Sequence, residues 1–379
     1  MMKKLLLTTA ACGLAMSSTA AHAEVDLDIG GYFKGYGAYV SQDEALNTDV
    51  KDVDFIRDTE IHFTGETTLD NGLTVGFHTE ALADGGDGFA IDESYAYFSG
   101  GWGRVNFGDE DGAGYLLQVA APSADDNIDG IRQFVNPVNY GAMLPAATVT
   151  ALGGAPLAVA IDYDMDPSGK STKLTYLTPM LNGFQAGVSY TPDTEADNVG
   201  TIDRAGSFGV GLDDEADRIE ETYEAAVRYE GQFNNVGMIL GAGYVHGENG
   251  EDVVAAPDSD DRKAWNVGAD FDIGPFGIGA IYKEDNGGLE GAGASDEETI
   301  VVGVDYTTGP FKLGASYLNQ DNTFAVSDLD TERYSGGVTY TYGPGMTFRG
   351  SVGYVEHDLA GAAGDVDATY VTLGTQINF

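Results

Sequence analysis

The sequence predicts an all-β chain: a transmembrane antiparallel β-barrel of 16 strands with a long third loop folded inward. Three observations predict it. Segment after segment alternates apolar and polar residues with period two over seven to eleven positions, as in "WNVGADFDI" (265–273) and "IVVGVDY" (300–306). Many of these segments begin or end on an aromatic, for instance Tyr190, Tyr229, Tyr244, Phe271, Tyr282, Tyr306, Tyr317 and Tyr342, which matches aromatic girdles at two membrane interfaces. The connections alternate between short turns and long acidic loops, the pattern of hairpins whose two ends face different compartments.

The strands read near 27–40, 54–68, 73–83, 89–99, 103–108, 172–178, 184–191, 219–230, 237–247, 264–273, 276–284, 299–307, 311–319, 332–342, 346–356 and 368–379. Short turns include Asp70-Asn71-Gly72, Gly274-Pro275, Gly309-Pro310 and Gly343-Pro344-Gly345. Segments rich in Asp, Glu, Gly and Asn, such as 193–217, 247–262, 285–297, 320–332 and 358–367, are the loops. A soluble β-sandwich would gather its aromatics mid-strand, and at this length it would break into domains. No linker or shift in composition divides this chain.

The N-terminus reads as a secretory signal peptide over residues 1–23. Lys3 and Lys4 precede an apolar stretch from Leu5 to Met16, and Ala21-His22-Ala23 is a small-x-small cleavage site. The only cysteine, Cys12, falls inside it, so no disulfide framework is expected in residues 24–379, the barrel domain. No later apolar run is long enough for a membrane helix. A formal charge of −43 excludes nucleic acid as a partner and favours cations.

Residues 109–171 separate two clear strands by a stretch too long for a simple connection, and they are read as a loop that narrows the lumen. An additional hairpin could lie at 147–164. By parity with outward Ile61, Phe63, Val75 and Phe77, the side chains of Glu60, His62, Glu66, His78 and Glu80 face the lumen. Lys34, Arg104, Lys173, Arg228 and Arg349 follow by the same logic. Inward aromatics are few on this parity, Tyr370 being one. The histidines His62, His78, His246 and His357 are scattered and show no zinc-ligand spacing. His62 beside Glu60 or Glu80 could mimic the acid–imidazole pair of a barrel enzyme, but a polar lumen explains these residues as well. No catalytic residue or catalytic cofactor is assigned.

The runs "DTEIHFTGETTLDNGLTVGFHTEA" (58–81), "WGRVNFGDEDG" (102–112) and "STKLTYLTPMLNGFQAGVSY" (171–190), with the terminal aromatic, resemble Gram-negative general diffusion porins of the alphaproteobacterial type. The resemblance implies a homotrimer in the outer membrane, in contact with lipid and lipopolysaccharide. It also implies passive diffusion of small hydrophilic solutes past a constriction formed by loop three, and a terminal Phe379 read by the barrel-assembly machinery. Family members set wall arginines and lysines against loop carboxylates. This chain has Glu60 and Asp109 where many members have arginine, so a cation-preferring pore is expected, with Asp109, Glu110 and Asp111 at the constriction. The alternatives are a substrate-specific porin and a non-conducting surface or adhesin barrel. Asp125-x-Asn127-x-Asp129-Gly130 matches the first half of a calcium-binding loop, although Asn136 stands where the closing glutamate belongs. With the resemblance, bound calcium at Asp125, Asn127 and Asp129 is an expectation.

Overall fold

A computed structural model describes residues 25–84, 89–145, 161–194, 219–250, 260–288, 296–324, 327–360 and 364–379. Sixteen strands, β1 (Asp26–Gln42) to β16 (Val366–Asn378), pair antiparallel with their sequence neighbours. The sheet closes where β1 meets β16, from Tyr32 opposite Asn378 to Gln42 opposite Ala368. Phe379 completes the seam: its N–H donates to Gly31 O at 3.1 Å, and the Gly31 N–H donates to Phe379 O at 3.0 Å. Closure removes the free edge that an open sheet would present to lipid.

Period two fixes the two faces. On β12 (Asp296–Thr308), Ile300, Val302 and Val304 are 44%, 41% and 50% exposed on the outside, whereas Val301 is fully buried inside. Outward rings meet across strands in two belts. Phe276–Tyr306 and Phe311–Tyr340 lie near the short turns, at centroid distances of 4.9 and 4.8 Å. Tyr190–Tyr223, Trp265–Tyr282 and Tyr317–Tyr334 lie near the loops. Phe311 and Tyr317 are six residues apart on β13 (Phe311–Phe324), a span of about 20 Å at the strand rise, close to the height of a bilayer's apolar band. The short turns follow their chemistry: Asn234 and Gly309 hold φ of 54° and 56°.

Several strands run further toward the loops than the apolar alternation marks. β14 (Ser327–Gly343) and β15 (Met346–Leu359) begin or end several residues beyond the segments 332–342 and 346–356. These extensions are polar outside, with Asp328, Asp330, Glu356 and Asp358, so hydrophobic patterning gives no signal for them. The signal peptide and most of the suggested hairpin at 147–164 lie outside the described residues; residues 161–164 carry no strand.

The largest apolar cluster sits inside the barrel. Ile128, Val135, Val138, Tyr140 and Met143 of the long loop pack on Tyr36, Ala38, Val355, Leu359, Ala368 and Tyr370 of the inner wall. The strands therefore present apolar surface to both sides in this sector, and the loop covers the inner one.

Candidate functional site: a loop-lined constriction

The loop leaves β5 (Gly103–Asp109) and returns at β6 (Thr172–Leu177). It carries two short helices, α1 (Ala113–Leu116) and α2 (Asp126–Asp129). Its root is locked by Lys173, which is 1% exposed and donates through Nζ to the carbonyls of Glu110 and Gly169. From there Val119, Pro122 and Ala124 run along the inner wall over a track of glycines on successive strands: Gly241, Gly268, Gly279, Gly303 and Gly314. A Cβ at Gly303 would lie 1.9 Å from Pro122 O, and one at Gly314 would lie 2.5 Å from Ala124 N. The wall has no side chains here because loop backbone takes their place.

The far end of the track is pinned by Asp125, which is 1% exposed. It accepts from Tyr36 Oη at 3.0 Å and from Arg349 Nη1 at 2.7 Å, and it caps α2 by accepting from the Asn127 N–H. Asp126 takes a second bond from Arg349. Asp129 accepts from Ser335 Oγ at 2.7 Å and Ser316 Oγ at 3.0 Å, and Asn127 Nδ2 donates to Tyr36 Oη and Gln376 Oε1. Of the three side chains expected to wrap calcium, Asp125 and Asn127 meet at the Tyr36 hydroxyl, Asp129 reaches two serines of the wall, and a guanidinium already faces Asp125.

The described part of the loop covers the wall from β7 (Phe184–Thr191) round to β15, β16 and β1, and it leaves most of β2 to β4 uncovered. On that open wall, with β2 (Val53–Thr68), β3 (Thr74–Leu82) and β4 (Ala90–Gly100), parity places Glu60, His62, Glu66, His78, Glu80 and Arg104 inward as the sequence implies. Lys34 joins them: Nζ donates to Asp58 at 3.0 Å and sits 3.6 Å from the centre of the loop's Phe134 ring. Arg228 also points inward, donating to the Gln118 carbonyl of the loop at 2.7 Å and to Glu230.

Three expectations need correction. Asp109 is not a lumen residue. It stands on the outward register with Val105 and Phe107, opposite Ser94 and Thr172, and accepts from Thr172 Oγ1. Glu110 and Lys173 lie inside the barrel but behind the loop, where they hold its root. Burial pushes the Glu110 carboxyl up to about 7, although Asn106 donates to it at 2.8 Å. Inward aromatics are also not few: Tyr32, Tyr36, Tyr95 and Tyr97 join Tyr370, because each shares register with an inward neighbour such as Glu60, His78 or Glu66.

Other members of the constriction escape pattern reading. Arg132 of the loop gathers Asp111 at 2.8 Å, Asp164 at 2.7 Å and Asp166. Three carboxylates crowd one guanidinium here, and burial with Asp111 beside it pushes the Asp166 carboxyl up to about 8. Asp92 and Glu93 stand at a bulge in the pairing of β3 with β4, and Lys170 of the loop reaches both. The bulge puts two successive acids within reach of one lysine, which strict alternation does not anticipate.

The arrangement is a closed barrel, apolar outside, with an acid-rich inner wall facing a loop pinned to the opposite side. The family profile described as Gram-negative porin matches residues 8–360. The chain belongs to the Gram-negative porin family. Among curated proteins, an uncharacterised protein of Rickettsia felis is 22% identical over 353 residues, covering 74% of this chain and 76% of that one. One from Rickettsia typhi is 24% identical over 347 residues, at 74% and 77% coverage. Among solved structures, the anion-selective porin of Comamonas acidovorans superposes with a TM-score of 0.58 at 17% identity, covering 94% of this chain and all of that one. OmpT of Vibrio cholerae, in its trimer form, gives 0.56 at 14%, covering 94% and 99%. At these identities the likeness is one of fold.

Proposed function

We propose that this porin forms a water-filled channel in the outer membrane through which small hydrophilic solutes and ions diffuse passively, with a preference for cations. The observation that carries the preference is the charge on the open wall. Asp58, Glu60, Glu66, Glu80, Asp92 and Glu93 face inward from β2 to β4, against Lys34 and Arg104 of the same sector. Lys34 is paired with Asp58. On the loop side Arg349 is paired with Asp125 and Asp126, and Arg132 with three acids, so little positive charge is left over. Rings of acidic side chains in a narrow aqueous passage favour cations. In a planar bilayer under a salt gradient, the reversal potential is expected to have the sign of cation selectivity. Glu60→Gln with Glu66→Gln should move it toward zero, and anion preference in the unaltered protein would overturn the reading.

A sugar-specific channel would expose stacking aromatics to the lumen. Here the inward rings are engaged by their neighbours: Arg104 covers Tyr97 at 3.9 Å, and Tyr97 Oη donates to Glu66 at 2.6 Å. This argues for general diffusion.

The same reading makes the protein a homotrimer among lipid and lipopolysaccharide, with Phe379 as the signal for the barrel-assembly machinery. The exposed ring of Phe379, held at the β1–β16 seam, is suited to that role. Deleting Phe379 is expected to lower the amount of folded protein in the outer membrane severalfold, while channels that do insert keep their conductance. Quantitative blotting of membrane fractions beside single-channel recording checks both halves, and normal assembly of the deletion would count against the role.

A further inference from the structure

His62 and His78 are sixteen positions apart in sequence, but the β2–β3 hairpin makes them diagonal neighbours. His62 stands opposite Glu80, and Thr64 stands opposite His78. Their rings meet edge to face with centroids 5.5 Å apart. Both Nε2 atoms turn to one carboxylate oxygen: Glu80 Oε1 lies 2.8 Å from His78 Nε2 and 3.7 Å from His62 Nε2. Glu60 Oε1 lies 3.4 Å from His62 Nε2.

We propose that His62, His78 and Glu80, with Glu60 beside them, form a binding site for a divalent transition-metal cation, zinc being the representative ion, on the inner wall of the pore. The ligand atoms of His62, His78 and Glu80 all lie within 4.8 Å of one another. Bonds of about 2.1 Å to a tetrahedral ion separate ligand atoms by about 3.4 Å, and the separations of 2.8, 3.4 and 3.7 Å bracket that value.

A second observation concerns the hydrogen bonding of Glu60 and His62. Glu60 is only 5% exposed, yet its Oε1 has no hydrogen-bond donor, and neither does the buried Nε2 of His62 beside it. These two atoms face each other at 3.4 Å without a well-formed hydrogen bond, and an ion between them would satisfy both.

The surroundings are built to aim these ligands. Thr64 Oγ1 sits 2.8 Å from His78 Nδ1 and fixes that ring, leaving Nε2 to face the site. Tyr32 Oη donates to Glu60 Oε2 at 2.5 Å, which holds Oε1 toward His62. Partners of this kind orient metal ligands and raise their affinity. Two imidazoles with carboxylates suit zinc, copper or nickel over calcium or magnesium, which prefer an all-oxygen shell. The side chains of His62, His78 and Glu80 are 29%, 17% and 18% exposed, so the lumen supplies an entry path.

The binding site stands whether or not the channel conducts; only its consequence, a slowed ion current, rests on the pore reading. Calorimetric titration of the purified full-length protein with zinc chloride is expected to show one saturable site per chain. His62→Ala with His78→Ala should weaken it at least about tenfold, and Thr64→Val severalfold with every ligand kept. His246→Asn, on another strand, should leave it unchanged. Cobalt(II) should give visible absorption bands of a low-coordinate site, and these should vanish in the double variant. Folding of each variant is read from its electrophoretic shift on heating, and Thr64→Val carries the test if the double variant fails to fold. Absence of saturable zinc binding, or equal zinc affinity in folded variants lacking the ligands, would overturn the proposal. Zinc heat without conductance would retain the site and refute the pore; conductance without zinc binding would do the reverse.

Discussion

Gly303→Val is expected to lower single-channel conductance and make it noisy, while Gly336→Ala leaves it unchanged. At Gly303 even the first side-chain carbon would lie 1.9 Å from a backbone oxygen of Pro122. Neither the strand nor the loop can resolve that by turning a side chain. β12 is held on both edges by β11 (Phe276–Asp285) and β13, so the loop is the partner that moves, and the only free space is the lumen. Overpacking of this kind costs about 1–3 kcal/mol, small against a closed sheet but comparable to the contacts that hold one loop segment. At Gly336 the nearest atoms to an added Cβ are 3.5 and 3.9 Å away, ordinary contact distances. The variant barrel should keep its heat resistance, which separates a displaced loop from a misfolded sheet. Unchanged current in Gly303→Val would mean that the loop does not rest on the glycine track.

The track also shows what the sequence could and could not disclose. Strands were legible because one face of each meets lipid and the other meets water, and period two follows from that. The register of the β2–β3 hairpin was legible too: counting back from Thr68 opposite Thr74 across the turn sets His62 opposite Glu80. The histidine pair was hidden only because ligand spacing was sought along the chain and not across it. Gly268, Gly303 and Gly314 were visible on the polar faces of their strands. Their role was not, since it depends on loop residues more than a hundred positions away.

The loop itself resisted for a related reason. Its contacts are long-range, and its composition of acids, glycines and short apolar runs is that of any solvated connection. Asp125, Asn127 and Asp129 illustrate this. Alternate oxygens followed by glycine suit a cation wrapped by one loop, but the same spacing also starts a short helix that Asp125 caps. Asp109 failed by a single step. It follows a strand glycine, as a pore residue does in the resembled proteins, but the strand continues through it and parity turns it outward.

The opposite change in current is expected from Asp125→Ala: larger conductance, weaker dependence on solute size and no loss of barrel assembly. The Asp125 carboxylate holds three groups at once, the Tyr36 hydroxyl on β1, the Arg349 guanidinium on β15 and the Asn127 N–H of α2. Removing it leaves Arg349 with Asp126, whose side chain is 73% exposed and whose contribution is correspondingly screened. Breaking a buried charge pair by removing one partner costs about 3–5 kcal/mol. Even the lower figure shifts the docked-to-released ratio of the loop by a factor on the order of 100. Asp126→Ala, which leaves the buried pair intact, should have a much smaller effect, and that contrast distinguishes a pinned loop from a general change in pore charge. Calcium offers a second contrast. Arg349 already places positive charge against Asp125, so adding or chelating calcium is expected to leave the conductance of the unaltered protein where it was. If chelation instead reproduced the Asp125→Ala phenotype, an ion and not the guanidinium would be holding the loop to the wall.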